Sequence, residues 1–394
     1  MNILHVFPFF SVKYAGGTCD FIYKLAKAQQ QRGHNVTIYT GDYKLDQEYA
    51  NSLKGVAIQS FPSFLNIFRL YIMPSLIAET KRNLKNFDVI HLHVFRTFQN
   101  IVLYHYARKY NIPYVVDAHG SAPLHTRRKR FKFFFDLLYG YRMLREASKC
   151  IAETNVGIDE YKDLGVENNN IVLLQPPFPV EEFAKLPRKG MFREKFRIAD
   201  KRVVMFLGRI HWIKGIDFLV EAFYELTKLR EDVFLVIVGS DDGFKTELDK
   251  LINTLKLSDK VLYTGFMGGF DKLEALVDAD IVVQTSRYEQ GAWAPIEAVL
   301  CDTPIIVSTN SGAGEDVEKM DAGYLVEWGD KIGLRDTIQY ILNNQAEAKA
   351  KTLKAKEFIQ NNLSMSNKIL EYESLYLECI DGVRCSQGNK QRRE

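Results

Sequence analysis

Four charged side chains in the second half of this 394-residue sequence have the types and spacing to handle an anion. Arg209 and Lys214 stand five positions apart in the run Gly208-Arg-Ile-His-Trp-Ile-Lys-Gly215, directly after the apolar stretch Val203 to Leu207. An apolar run ended by glycine reads as a buried strand, so both cations can point into one pocket at its carboxyl end. As an arbitrary pair they would read more readily as two solvated surface cations; the flanking glycines count towards the pocket. Further on, Glu289 and Glu297 enclose seven residues. Gly291, Ala292 and Ala294 between them are small and turn-like, and Pro295 suits the first position of a short apolar helix, Ile296 to Leu300. Glu297 then falls in the first helical turn, beside N–H groups that lack intrahelical partners. Such a helix start attracts phosphate-type anions. The chemistry implied is the binding of a phosphate-bearing group with two carboxylates at the mouth of its pocket.

These residues need strand ends to carry them, and the chain supplies strands at a regular rhythm. Asn2 to Phe7 reads as a buried strand, Pro8 to Gly17 as a loop closing on Gly16-Gly17, and Thr18 to Gln31 as a helix. Strands follow at Asn35–Thr40, Val56–Phe61, Asp88–Val94, Tyr114–Ala118, Cys150–Ala152 and Ile171–Leu174. Helices are expected at Ile67–Leu84 and Thr97–Lys109. Alternating β and α implies doubly wound parallel sheets, with ligands at the carboxyl ends of strands. The first loop lacks G-x-G-x-x-G, which disfavours a dehydrogenase; by spacing alone Gly16-Gly17 is a tight turn. His119-Gly120 sits at a strand end, where a histidine is either structural or functional. His91 and His93 form H-x-H on a strand, but no third ligand is implied nearby, so a metal there is not expected.

After a polar linker, Lys185 to Asp200, a second sheet begins at Val203. Its further strands read as Val233–Val238, Lys260–Thr264, Ile281–Thr285, Ile305–Val307 and Tyr324–Val326. Asp278-Ala-Asp280 precedes a strand and reads as a helix-to-strand turn, not a metal-binding pair. Leu334 to Ile380 is helical, and the polar, basic end from Asp381 is expected to be disordered.

The bulk numbers exclude little. A length of 394 residues suits two domains, and 46% hydrophobic with 26% charged residues is enough to bury two cores. A net charge of +3 makes no case for nucleic acid. Five scattered cysteines without C-x-x-C spacing argue for a reducing compartment and against a zinc or disulfide framework. The apolar start is too short, and lacks the basic residues, for a signal peptide, and no apolar run approaches the ~18 residues of a membrane span. A cytoplasmic protein is the expectation.

The segment Ser286 to Ser308 (SRYEQGAWAPIEAVLCDTPIIVS), together with GRIHWIKG at Gly208 to Gly215, resembles the retaining glycosyltransferases of family 4. The resemblance covers most of the chain. It implies the GT-B fold: two Rossmann-like, doubly wound α/β domains facing a central cleft, with a C-terminal helix crossing back to the first. The expected boundaries are 1–180 for the acceptor-side domain, 181–365 for the nucleotide-sugar domain, 366–380 for the crossover helix and 381–394 for the tail. The implied activity is metal-independent transfer from a nucleotide-diphosphate sugar, with retention, to a glycan or lipid-linked acceptor in polysaccharide or glycoconjugate biosynthesis.

By the same resemblance, which with the flanking glycines favours the pocket over two solvated cations, Arg209 and Lys214 hold the diphosphate and stabilise the charge that builds up as the glycosidic bond breaks. Glu297 binds the ribose, and Glu289 with the backbone of 290–293 (Gly291, Ala292 and Trp293 among them) contacts the donor sugar. Gly265 and Phe266 border the base, Gly16 and Gly17 face the phosphates and acceptor, and His119 contacts the donor sugar. Many relatives carry E-G-F-G where this chain has Glu289-Gln-Gly-Ala-Trp293, so the residues facing the sugar differ. An epimerase of the same fold and a non-catalytic sugar-nucleotide binding subunit are the alternatives.

One further segment carries its own chemistry. Arg127, Arg128, Lys129, Arg130 and Lys132 interleave with Phe131 and Phe133 to Phe135. A basic cluster leading into an aromatic helix suits an anionic membrane surface; it equally suits a core helix with a solvated basic start.

Overall fold

The computed structural model describes residues 1–67, 70–123, 129–198, 200–291, 293–309 and 311–391. Arg127, Arg128 and Ala292 therefore lie outside the described residues. The chain forms two compact units, Met1–Pro177 with Met365–Glu394, and Phe178–Ser364.

In the first unit the strands are β1 (Asn2–Phe9), β2 (Asn35–Gly41), β3 (Ala57–Phe61), a small antiparallel pair β4 (Leu65–Ile67) and β5 (Leu70–Ile72), then β6 (Val89–His93), β7 (Tyr114–Asp117), β8 (Lys149–Ala152) and β9 (Ile171–Leu173). All but the small pair form one parallel sheet in the order β3-β2-β1-β6-β7-β8-β9. β6 and β7 are wholly buried; in β6 the buried His91 and His93 alternate with Ile90 and Leu92. The helix Gly17–Gln31 and the last helix, Met365–Gln391, pack against each other in this unit.

In the second unit, β10 (Arg202–Leu207), β11 (Val233–Val238), β12 (Val261–Gly265), β13 (Ile281–Gln284), β14 (Ile305–Ser308) and β15 (Tyr324–Val326) form a parallel sheet in the order β12-β11-β10-β13-β14-β15. Apolar clusters cover its two faces, one around Met205, Val282 and Val299, the other around Phe206, Leu219 and Ile306. In both sheets the strand order reverses beside the first strand, between β1 and β6 and between β10 and β13. That reversal opens a crevice at the carboxyl ends, the place where open α/β sheets bind ligands.

Several expectations are corrected. The helix expected over Ile67–Leu84 is the β4–β5 pair followed by a helix, Pro74–Asn83. Pro74 takes the first helical position, where its missing N–H costs nothing. The loop after β1 contains a helical turn, Val12–Ala15. The linker Lys185 to Asp200 contains a helix, Met191–Phe196, because its free N–H groups find a buried acceptor: Asp278 takes Gly190 N and Arg193 N. Asp280 takes Arg193, Arg202 and Val203 N. Asp278-Ala-Asp280 thus caps and ties a helix-to-strand turn, as read from the sequence. The last helix, Met365–Gln391, runs on past Asp381, where a disordered end was expected.

Candidate functional site

Beside the reversal in the second unit, the loops after β10 and β13 are sewn together. Thr285 Oγ1 donates to Gly215 O at 2.9 Å, Arg287 N to Ile213 O at 2.8 Å, and the Arg287 side chain bonds Trp212 O and Asp217. The approach is close enough that a Cβ on Gly215 would stand 2.0 Å from Thr285 O, and Gly215 has φ +62°. Only glycine fits there. The stitching brings Lys214 Nζ onto Glu289 Oε2, which also accepts from Ser286 Oγ at 3.0 Å. Gln284 Nε2 reaches the same oxygen at 3.4 Å. Glu289 O accepts from Gly312 N at 2.7 Å, which pins this loop to the start of the helix Gly312–Lys319.

Arg209 leaves the same strand end but takes a different carboxylate, Asp242, in the loop after β11. The two cations do not share a partner. Both remain partly open to solvent, with 41% of the Arg209 side chain and 16% of the Lys214 side chain exposed. An ion pair this exposed costs little to rearrange around an incoming anion.

Glu297 is placed differently from the expectation. The helix begins at Trp293, so Pro295 is its third residue and Glu297 lies one residue beyond the first turn. Among the described residues its carboxylate accepts from no backbone N–H; Oε1 accepts from Lys272 Nζ at 2.6 Å, on the helix Gly269–Asp278. Trp293, half-buried, packs its ring on Phe178, 4.4 Å between centroids, against the core. Gly291 precedes that helix in open loop. Gly265 ends β12 with φ +75°, and Phe266 beside it is exposed.

In the first unit, Gly16 has φ +63° and opens the helix Gly17–Gln31 without a side-chain cap. The ends of β6 and β7 carry left-handed residues, Val94, Arg96, His119 and Gly120. A β-branched valine at positive φ is a strained choice, and such residues gather at functional sites. The His119 ring has both nitrogens engaged inside the protein: Nε2 with His93 Nδ1 at 3.0 Å and Nδ1 with Glu153 Oε1 at 2.8 Å. Only 5% of the side chain is exposed. The ring is thus committed to the interior, and what His119 presents outward is the backbone of its turn. A third histidine, unforeseen in the sequence, joins the H-x-H pair: the ligand atoms of His5, His91 and His93 lie within 4.8 Å of one another.

Lys132 is turned inward and donates to Pro123 O at 2.6 Å; burial, with Arg96 nearby, lowers it to about 8. Lys129 and Arg130 are exposed. Of the apolar residues that follow, Phe135 is buried against Phe95, but others are not taken up by the core. Phe133, Phe134, Leu137 and Leu138 are all at least half exposed, on a helix whose middle, Asp136–Gly140, is a π-turn. Asp136 anchors that turn in a buried two-point bond with Arg96, at 2.8 and 2.7 Å. Arg96 also donates to Ser121 O and Ala122 O.

Sequence reasoning missed Lys272, Asp242, Ser286 and Arg287 around the cations, and His5, Asp117 and Glu153 around His119. Ser286 and Arg287 stand in the Glu289 loop itself and Asp117 two residues before His119, but no motif spacing marks them; Asp242 and Glu153 come from neighbouring strand ends, His5 from the neighbouring strand and Lys272 from a helix.

Comparison with known proteins follows the two units. Residues 15–182 match the model described as Glycosyltransferase Family 4, and residues 188–361 the one described as Glycosyl transferases group 1. An uncharacterised glycosyltransferase of Methanocaldococcus jannaschii is 22% identical, over 96% of this chain and 99% of that protein. The mannosylfructose-phosphate synthase of Agrobacterium fabrum is 22% identical over 75% of this chain and 72% of its own. Among solved structures, Anabaena HepE in complex with UDP and glucose superposes with a TM-score of 0.80 at 18% identity, over 95% and 98% of the two chains. That likeness fixes the fold as GT-B.

Proposed function

The chain belongs to glycosyltransferase family 4, and from that premise we propose that it moves a sugar from a nucleotide-diphosphate donor, with retention of anomeric configuration and without a required metal. The observation that carries this reading is the Lys214–Glu289 pair at the reversal between β10 and β13, with Arg209 leaving the same strand end. A departing nucleoside diphosphate gains negative charge, and cations fixed in a partly dry crevice stabilise it without a divalent ion. Lys214 and Arg209 exchange their carboxylate partners for phosphate oxygens on donor binding. Glu289, released and still held by Ser286, accepts hydroxyls of the sugar. Glu297, steadied by Lys272, accepts the ribose hydroxyls, and Gly265-Phe266 borders the base.

The acceptor side is read from the first unit. Exposed Phe133, Phe134, Leu137 and Leu138 beside Lys129 and Arg130 suit the headgroup boundary of an anionic leaflet, the aromatics entering the interface and the cations meeting lipid charge. We therefore assign a lipid-linked or membrane-proximal acceptor and a peripheral cytoplasmic enzyme. Among the described residues no helix is long and apolar enough to cross a membrane. The test of the donor reading is a thermal-shift screen against UDP-, GDP- and ADP-sugars, followed by acceptor profiling with proton NMR of the product anomer. Stabilisation by one nucleotide class and a retained anomer support it; an inverted product removes the retaining mechanism.

A further inference from the structure

A row of polar side chains crosses the sheet of the first unit. Gln29 Oε1 lies 2.7 Å from His5 Nε2, His5 Nδ1 2.8 Å from His93 Nε2, and His93 Nδ1 3.0 Å from His119 Nε2. At the far end His119 Nδ1 meets Glu153 at 2.8 Å and Asp117 at 3.3 Å. Gln29, His5 and His93 are fully buried. The row runs from β1 to β6 and on to the ends of β7 and β8, each imidazole delivered by a neighbouring parallel strand.

A neutral imidazole has one donor and one acceptor nitrogen, so the direction at one end sets the direction of the whole row. The Gln29 amide nitrogen is 3.5 Å from the Tyr376 hydroxyl, which in turn lies 2.7 Å from His91 Nδ1. The amide atom that faces His5 is the Gln29 carbonyl oxygen. His5 must donate from Nε2 and accept at Nδ1; His93 then donates from Nε2 and accepts at Nδ1; His119 then donates from Nε2. Its Nδ1 faces the oxygens of Glu153 and Asp117, and a bond to an ionised carboxylate there requires a second N–H.

We infer that His119 is held as an imidazolium, both N–H groups donated inward, and that Gln29, His5 and His93 are positioning residues that fix it and the left-handed His119-Gly120 turn at the end of β7. Turning Gln29 round would set a donor against His5, reverse every bond, and release one proton from the row, leaving His119 neutral. The surrounding charges agree. Burial lowers His5 to about 4 and holds His91 and His93 well below the usual histidine value, so neither end of the inner row carries charge. Burial also opposes charge on His119, but Asp117 and the hydrogen bond and charge of Glu153 outweigh it and raise its value. Asp117 itself is pushed up to about 7 by burial, against the pull of His119.

The groups facing this cluster are Asp117, Glu153, His93 and, through it, His5 and His91. The helix Gly17–Gln31 adds the Phe21 ring, the helix Asn155–Asp163 adds Tyr161 on Ala118 N, and the last helix adds Tyr372 and Tyr376. The His5 and His93 nitrogens that a zinc ion would need point at one another in a hydrogen bond, and the His91 and His93 rings stack at 3.9 Å. A metal set converges its lone pairs on one point; this row does not.

The catalytic consequence rests on the proposed function and on the donor-sugar contact that the family resemblance implies for His119; the protonation state does not. Long-range proton–nitrogen correlation spectra of the full-length, nitrogen-15-labelled chain read each ring, with assignment by single His→Gln variants. At pH 7 His119 is expected with both nitrogens protonated, and His5, His91 and His93 neutral. A neutral His119 at pH 7, or stoichiometric zinc whose removal by EDTA changes these signals, overturns the inference. In Gln29→Met the His119 titration is expected about one pH unit lower, and the alkaline limb of donor turnover should move with it while donor KM stays. An unmoved titration in that variant removes Gln29 as a positioning residue. Should Gln29→Met fail to fold, the wild-type spectrum still decides. Absence of any nucleotide-sugar binding removes the proposed function and leaves the spectral result standing.

Discussion

Replacing Lys214 by alanine separates a functional cation from a structural one. In the unliganded protein its partner Glu289 keeps the Ser286 hydroxyl and the Gln284 amide, so the carboxylate is not orphaned. The side chains of the pair are 16% and 21% exposed, so solvent screens part of what is lost. The stability cost should therefore be near that of a modest ion pair, about 1 kcal/mol, or a Tm lower by roughly 2–4 °C for a unit of this size. In the transition state the loss is larger. The lysine then faces a diphosphate leaving group in a crevice partly cleared of water, and removing one such partner costs about 3 kcal/mol, roughly 10²-fold in kcat. Arg209 remains, which sets a floor of residual activity. Steady-state release of nucleoside diphosphate, measured beside a thermal melt, reads both quantities. A variant that keeps near-normal turnover, or one whose activity loss is matched by a Tm drop beyond 10 °C (about three times the expected shift), would refute the reasoning.

Three other outcomes are expected. The stability held by the inner histidines should fall between pH 7.5 and pH 5: His5, His91 and His93 have depressed values when folded, so the stability they contribute is present above the unfolded value of about 6.5 and lost as pH falls toward the folded values. Asp117, Glu160 and His119, raised when folded, act in the opposite sense over the same range, so the readout is the difference between wild type and His5→Gln: wild type should lose about 2 kcal/mol relative to the variant by pH 5, and urea titrations showing a constant difference would contradict this. Turnover should survive EDTA, since the charge on the leaving group is met by Arg209 and Lys214; complete loss restored by magnesium would reverse that proposal. Sedimentation with anionic vesicles at low salt should capture the wild type and release the quadruple variant Phe133→Ser, Phe134→Ser, Leu137→Ser, Leu138→Ser, whereas equal behaviour of the two, or indifference of both, points to a soluble acceptor.

The strands were legible because parallel strands buried on both faces are continuous apolar runs, and Val203 to Leu207 or Ile305 to Val307 have no other reading. Helix boundaries were less so. Pro295 looked like a first helical residue from its chemistry, yet the helix starts two residues earlier, at Trp293, where ring packing on Phe178 holds the chain. That shift moved Glu297 away from the backbone N–H groups and onto Lys272. The four charged residues of the site were visible through local spacing. Their partners were not, because Asp242 lies on another strand end and Lys272 on another helix, and only the fold of the sheet and its helices brings them in. The same holds for His5, which is 86 residues from His91 in the chain and directly across from it in the sheet. The basic cluster was half misread: Lys132 looks like surface charge in the sequence and is turned inward.

The central claim is that the second unit holds a nucleoside diphosphate through cations at the β10 end. Calorimetric titration of the full chain with UDP, GDP and ADP, each beside its monophosphate, tests it most directly, in wild type and in Arg209→Ala. One diphosphate should bind at least tenfold more tightly than its monophosphate, and Arg209→Ala should erase most of that difference, about 1.4 kcal/mol or more, because Arg209 meets the added phosphate. No binding of any nucleoside diphosphate, or the same preference in Arg209→Ala as in wild type, would contradict the account.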